Sequence, residues 1–169
     1  MRDPREHAEN RNFVETILRY IPGFRGYLEK EYRREADEMQ RDWLADRLQH
    51  GKQGLDDFMR QLTEDGLLDA LPQCERLRHR LDKLIGRIRS AMQGYSGVFD
   101  LVRIDEEVLE RVYEHDASLV TDVDALAKAV QSLGPKPDAP VVMIPQLLAK
   151  VDALENAWDK REGILQGME

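Results

Sequence analysis

Leu77-Arg78-His79-Arg80-Leu81-Asp82-Lys83-Leu84-Ile85-Gly86-Arg87-Ile88-Arg89-Ser90-Ala91 is the stretch that decides the class of this chain. Leu77, Leu81, Leu84, Ile88 and Ala91 recur at spacings of four, three, four and three, with mostly charged residues between them. That is the period of a helix with one apolar stripe, not the alternation of a strand. It predicts a helix over about Pro72–Gln93, roughly 33 Å long at 1.5 Å per residue.

The same period recurs on both sides. Downstream, Asp105 suits an N-cap and Glu106 and Glu107 suit a first turn. The pattern pauses at His115-Asp116-Ala117-Ser118 and resumes as Leu119, Val123, Leu126, Val130 and Leu133. Gly134–Pro140 reads as a stiff Pro-rich linker. A last helix runs from about Pro145 to Gln166 through Leu147, Val151, Leu154 and Trp158. Upstream, Leu55, Phe58, Met59 and Leu62 predict a short helix ending near Gly66. Gly51 and Gly54 mark the end of the helix before it, which runs from Phe24 or Gly26 to Gln49. Its stripe is Leu28, Tyr32, Ala36, Met39 and Trp43, and Glu29–Arg33 and Asp37–Arg41 are i, i+4 ion pairs assigned to its solvated side. A first helix begins at Asp3-Pro4, carries Phe13, Ile17 and Tyr20 on one face, and ends at Ile21-Pro22-Gly23.

Only Val98–Ile104 and Val141–Ile144 could be strands, and both are short. The class is therefore all-α: an antiparallel helical bundle of about five to seven helices with coiled-coil-like seams. At 169 residues one domain is expected, with residues 1–133 as the bundle, 134–140 as the linker and 141–169 as a C-terminal helix packed on the bundle or on a partner chain.

Charged residues make up 34 % of the chain and hydrophobic ones 41 %, with a mean hydropathy of −0.60. The balance is polar for a globular protein yet too apolar for a disordered one. The longest apolar run, Val141–Ile144, is far short of the ~20 residues a membrane helix needs, and MRDPREHAEN holds no apolar signal core. A cytoplasmic location is expected. Residues 1–50 carry 10 Lys or Arg and 11 Asp or Glu, residues 51–99 carry 8 and 7, and residues 100–169 carry 7 and 15. The net charge of −8 is thus that of the last third. It argues against a nucleic-acid partner except through a local patch.

No catalytic or cofactor motif emerges. The di-iron bundle signature needs Glu three residues before His on two helices, but His7, His50, His79 and His115 follow Pro4, Arg47, Arg76 and Val112. Cys74 and His79 lie roughly 140° apart around a helix and cannot pair. A non-enzymatic protein without cofactor or metal is expected. Two features remain as candidate sites. Arg76, Arg78, Arg80, Lys83, Arg87 and Arg89 form a basic patch that could meet an anionic membrane or a polyanion. The plainer reading, favoured because no aromatic residue interleaves the arginines, pairs them with the acidic segment 100–124. Phe24, Tyr27, Tyr95 and Phe99 lie in two Gly-aromatic turns that could dock a partner or cap the bundle ends.

Ile21-Pro22-Gly23-Phe24-Arg25-Gly26-Tyr27-Leu28-Glu29-Lys30-Glu31-Tyr32-Arg33-Arg34-Glu35-Ala36-Asp37 and Gly94-Tyr95-Ser96-Gly97-Val98-Phe99-Asp100 resemble segments shared by a group of uncharacterised bacterial helical proteins of similar length. The resemblance covers about two dozen residues and implies no activity and no site residues. The chain is expected to be a helical interaction or scaffold protein with a protein partner, or one that self-associates through the Leu77–Ala91 or Leu119–Leu133 seam. A peripheral membrane or polyanion binder is the first alternative and a metal-dependent helical enzyme the second.

Overall fold

The apolar stripes become five helices among the described residues: α1 (Pro4–Tyr20), α2 (Arg33–Glu64), α3 (Leu71–Gly94), α4 (Glu106–Gln131) and α5 (Ala139–Gln166). The computed structural model describes residues 4–27, 29–94, 106–133 and 139–166. Among these there is no strand. Val141–Ile144 is helical, and Val98–Ile104 lies outside the described residues. Single 3-10 turns at Lys30–Tyr32 and Leu68–Ala70 lead into α2 and α3.

Side-chain pairs give the direction of each helix. Asp46 meets Arg89, Lys52 meets Asp82 and Asp56 meets Arg78, so α2 and α3 are antiparallel. His115 Nε2 lies 2.9 Å from the Ala157 carbonyl, and Asp122 and Leu126 face Lys150 and Leu154, so α4 and α5 are antiparallel too. Arg80 reaches Asp152 and Arg87 reaches Asp159, which makes α3 and α5 parallel. Arg47 reaches Asp124, and Gly51 abuts Ala127, which makes α2 and α4 parallel. Two antiparallel hairpins therefore stand side by side in the ring α2–α3–α5–α4, with α3 and α4 across the bundle from each other and α1 packed on α4. The stripe residues Leu44, Leu55, Leu77, Leu81, Val123 and Val151 all point into this ring and are buried. The helix after the Pro-rich segment thus supplies the fourth wall in cis. Both seams read as self-association surfaces are buried inside the same chain, Leu77–Ala91 through Leu77, Leu81, Leu84 and Ile88, and Leu119–Leu133 through Leu119, Val123, Leu126, Val130 and Leu133.

Three sequence expectations are corrected. The last helix begins at Ala139 and not near Pro145, so Ala139 and Pro140 of the expected 134–140 linker are helical and Pro145 lies inside α5. The helix expected from Phe24 or Gly26 starts only at Arg33, because Gly26 has φ +80°, outside the right-handed helical range. The Tyr27 N–H bonds to the Tyr113 hydroxyl instead, at 2.6 Å, and its carbonyl accepts from Arg33 Nε at 2.7 Å. Gly51 and Gly54 do not end a helix. They lie inside one continuous α2, where a Cβ would stand 2.9 Å from the Ala127 Cα and 2.6 Å from the Gln131 Cα, respectively. Glycine weakens a helix interior by about 1 kcal/mol. Here it lets two backbones touch. The stop at Gly66 is as expected: with φ +73° it lets Gly66 N–H donate to Thr63 and Leu67 N–H to Leu62, the paired bonds of a Schellman cap.

This contact predicts opposite effects from one substitution at two sites. Gly54→Ala, which drives a methyl into the α4 backbone, is expected to lower unfolding stability by about 1–3 kcal/mol despite its better helix propensity. Gly86→Ala on α3, where a Cβ meets nothing within 4 Å, is expected to raise stability by up to about 1 kcal/mol. Urea midpoints of the two variants check this.

Candidate functional site

A layer of charge crosses the bundle near the end where α2 and α4 begin. On α5 the apolar spacing Leu147, Val151, Leu154, Trp158 continues to Arg161. On α4 the spacing Leu109, Val112, Asp116, Leu119, Val123 passes through an aspartate. α2 adds Asp37, Gln40 and Arg41 at core-facing positions. Gln40, Arg41, Asp116 and Arg161 are each 0 % exposed, and Asp37 is 8 % exposed.

Arg161 is the hub. Its Nε donates to Asp116 Oδ1 at 2.7 Å and its Nη2 to Asp37 Oδ1 at 2.7 Å. Arg41 Nε donates to the other Asp37 oxygen at 2.7 Å. The Tyr27 hydroxyl donates to Asp116 Oδ2 at 2.5 Å, with Gln40 Oε1 2.7 Å away. Both guanidinium groups lie over the Trp158 ring, at 5.0 and 5.3 Å from its centroid. Two arginines and two aspartates cancel, so the layer is neutral as well as buried. Burial by itself would lower the Arg161 pKa, but Asp116 and Asp37 hold it well above its ordinary value. Burial, and then the Asp116 carboxylate, push the Tyr27 hydroxyl well above the usual phenol range. Gln40 Nε2, Trp158 Nε1 and Arg161 Nη1 find no hydrogen-bond partner among the described residues.

The residues singled out from the sequence fall elsewhere or behave differently. Phe24 and Tyr27 are 3 % and 0 % exposed, so neither is a docking residue. The Gly23 and Gly26 turn folds them inward, and Tyr27 stacks on Tyr113 at 5.4 Å. Tyr95 and Phe99 lie outside the described residues. The Asp37–Arg41 pair, expected on the solvated side, is in the core. In the basic patch, Arg80 pairs with Asp152 and Glu155, Arg87 with Asp159, Arg89 with Asp46, and Arg78 with Asp56 and Glu75. These partners stand on α3 itself, α2 and α5, not in the expected segment 100–124, because α3 lies across the bundle from α4. Arg76 and Lys83 are exposed and make no ion pair among the described residues. Cys74 is fully buried, and burial followed by the Glu75 charge raises its thiol pKa. Trp158 is core and Trp43 is half-buried, edge-on to Tyr20 at 5.6 Å. No three His, Cys, Asp or Glu residues among those described are grouped to hold a metal, and no described helix is long and apolar enough to cross a membrane.

The outer face of the α4–α5 hairpin is built differently from the α3 side. Between the two helices lies a half-open groove of about 310 Å³. The buried Leu126 and Leu154 form its floor, and Ala125 and Ala153 leave it open. Asp122 stands on one rim and Lys150 on the other. Neither makes an ion pair among the described residues.

A charged residue standing in phase with an apolar stripe was the one available signal for the buried layer, and the pause at Asp116 on α4 was its visible trace. Comparison with protein-family models, with curated proteins and with solved structures finds no match to this chain.

Removing one partner from a buried charge pair strands the other. Arg161→Met is expected to cost about 3–5 kcal/mol. Adding Asp116→Leu should recover part of that loss, since Asp37 and Arg41 still neutralise each other; a double-mutant cycle by urea unfolding reads the difference. For Tyr27 the folded chain holds its proton more tightly than the unfolded chain does. That contribution is full below about pH 10 and is lost as the pH rises from there towards the folded value. Unfolding midpoints of Tyr27→Phe should therefore fall less steeply with alkaline pH than those of the parent.

Proposed function

We propose that this chain is a non-catalytic helical interaction module, a scaffold whose contact surface is the outer face of the α4–α5 hairpin. The observation that carries the reading is the groove over Leu126 and Leu154, an apolar recess on a chain of which 34 % of the residues are charged. A half-open recess with alanines at Ala125 and Ala153 and one acidic and one basic residue beside them suits the close approach of a helical partner. Rigid placement supports it as well: the buried charge layer and the Gly51 and Gly54 contacts tie α4 to α2, so the face is presented by a fixed frame. The membrane or polyanion reading draws less support, because Arg78, Arg80, Arg87 and Arg89 already face carboxylates of their own chain.

A photo-crosslinking residue placed at Ala153, and separately at Lys83 on the opposite side, tests the proposal in cells of the native host. Adducts from position 153 and none from position 83 are expected. Equal yields at the two positions, or no adduct at either, would overturn it.

A further inference from the structure

Resting on that reading, we infer that the occupant of the α4–α5 face is the same face of a second copy of this chain, in a twofold dimer whose axis runs parallel to the helices. The argument is electrostatic and begins from the charges left without a partner. On α4, Glu114 and Asp122 are exposed two turns apart. On α5, Lys150 and Lys160 are exposed almost three turns apart. None of the four makes an ion pair among the described residues, whereas most arginines of α3 do.

These four charges are also ordered. Because α4 and α5 are antiparallel, Asp122 and Lys150 stand at one level, across the groove they both line. Glu114 and Lys160 stand at a second level, next in sequence to His115 and Arg161 in the region of the buried layer. The α4 rim is therefore acidic and the α5 rim basic at both levels.

A symmetric contact must be self-complementary. A twofold axis parallel to the helices lays α4 of one copy over α5 of the other and keeps every residue at its own height. Asp122 then meets Lys150 of the second copy and Glu114 meets its Lys160, and the symmetry makes each pairing twice. A twofold axis crossing the helices at right angles within the interface would set α4 on α4, acidic rim against acidic rim. The charges thus select one arrangement and oppose the other. Ala125 and Ala153 put no long side chain between the two layers. Closing them fills the groove above Leu126 and Leu154, which the single chain already buries.

Sedimentation velocity of the full chain at physiological ionic strength, where the Debye length is about 8 Å and the net charge is largely screened, should show a dimer. Glu114→Lys with Asp122→Lys, and separately Lys150→Glu with Lys160→Glu, should each weaken the dimer by at least about 100-fold, because like charges then face each other. Circular dichroism should show unchanged helix content, since all four sites are exposed. An equimolar mixture of the two variants should associate again, as a heterodimer, because both rim contacts are then of opposite sign. A monomeric parent overturns this inference alone, leaving the interaction-module reading to the crosslinking result. Variants that still dimerise by themselves, or a mixture that stays monomeric, overturn it as well.

Discussion

Arg161 is a guanidinium 0 % exposed to solvent, and a cation in that position is tolerable only if carboxylates arrive with it. Asp116 on α4 and Asp37 on α2 do so, each through a 2.7 Å bond. The remainder of the layer follows from them. Asp37 holds Arg41, Asp116 accepts from Tyr27, and Trp158 lies under both guanidinium groups. Sliding any one of α2, α4 and α5 by a turn would strand a buried charge. Buried ion pairs are weak sources of net stability, because replacing them with apolar residues is often neutral or favourable. Their strength is as a constraint on register, and here one layer sets the register of three helices.

With that register set, the packing of the rest becomes intelligible. Two hairpins stand parallel and in contact, α2 along α4 and α3 along α5. Along α2 the contact is so close that Gly51 and Gly54 have no room for a methyl group. Along α3 it is longer-range and ionic, with Arg80 and Arg87 reaching carboxylates of α5. The turn from Gly23 to Tyr27 closes the layer, inserting Tyr27 between Asp116 and Tyr113. The segment Ile21–Asp37 thus contributes Ile21, Phe24, Tyr27, Ala36 and Asp37 to the buried interior. Its residues are explained by the interior they build.

The charge asymmetry of the chain takes on a different meaning in three dimensions. Acidic residues of the last third are divided among three tasks. Asp116 is in the core, Asp152, Glu155 and Asp159 hold the arginines of α3, and Asp124 takes Arg47 and Lys128. Burial by itself would raise the Asp124 pKa, yet the hydrogen bonds from Lys128 and Arg47 outweigh it and hold the carboxyl below its ordinary range. Arg78, Arg80, Arg87 and Arg89 of the basic patch are in this sense an internal fastening of α3. On the face of α4–α5 away from it, Asp122 and Lys150 line an apolar recess and make no ion pair among the described residues.

The all-helical class, most of the stripes, the stop at Gly66 and the burial of Trp158 were legible in the sequence, because each depends on spacing over a few turns and the helix period is a local property. Neighbourhood was not legible. Nothing in residues 77–91 says that α5, and not α4, stands beside them. Nothing local separates a glycine that ends a helix from one that lets a second helix touch, as Gly51 and Gly54 do. The same holds for Asp37–Arg41, an i, i+4 pair that suits a wet surface and a neutralised core equally well until Arg161 comes, from more than a hundred residues away, to decide it. The sequence by itself determined which residues share a helix face. Only the tertiary structure decided which faces meet, because that choice depends on satisfying buried charge and filling space between segments far apart in the chain.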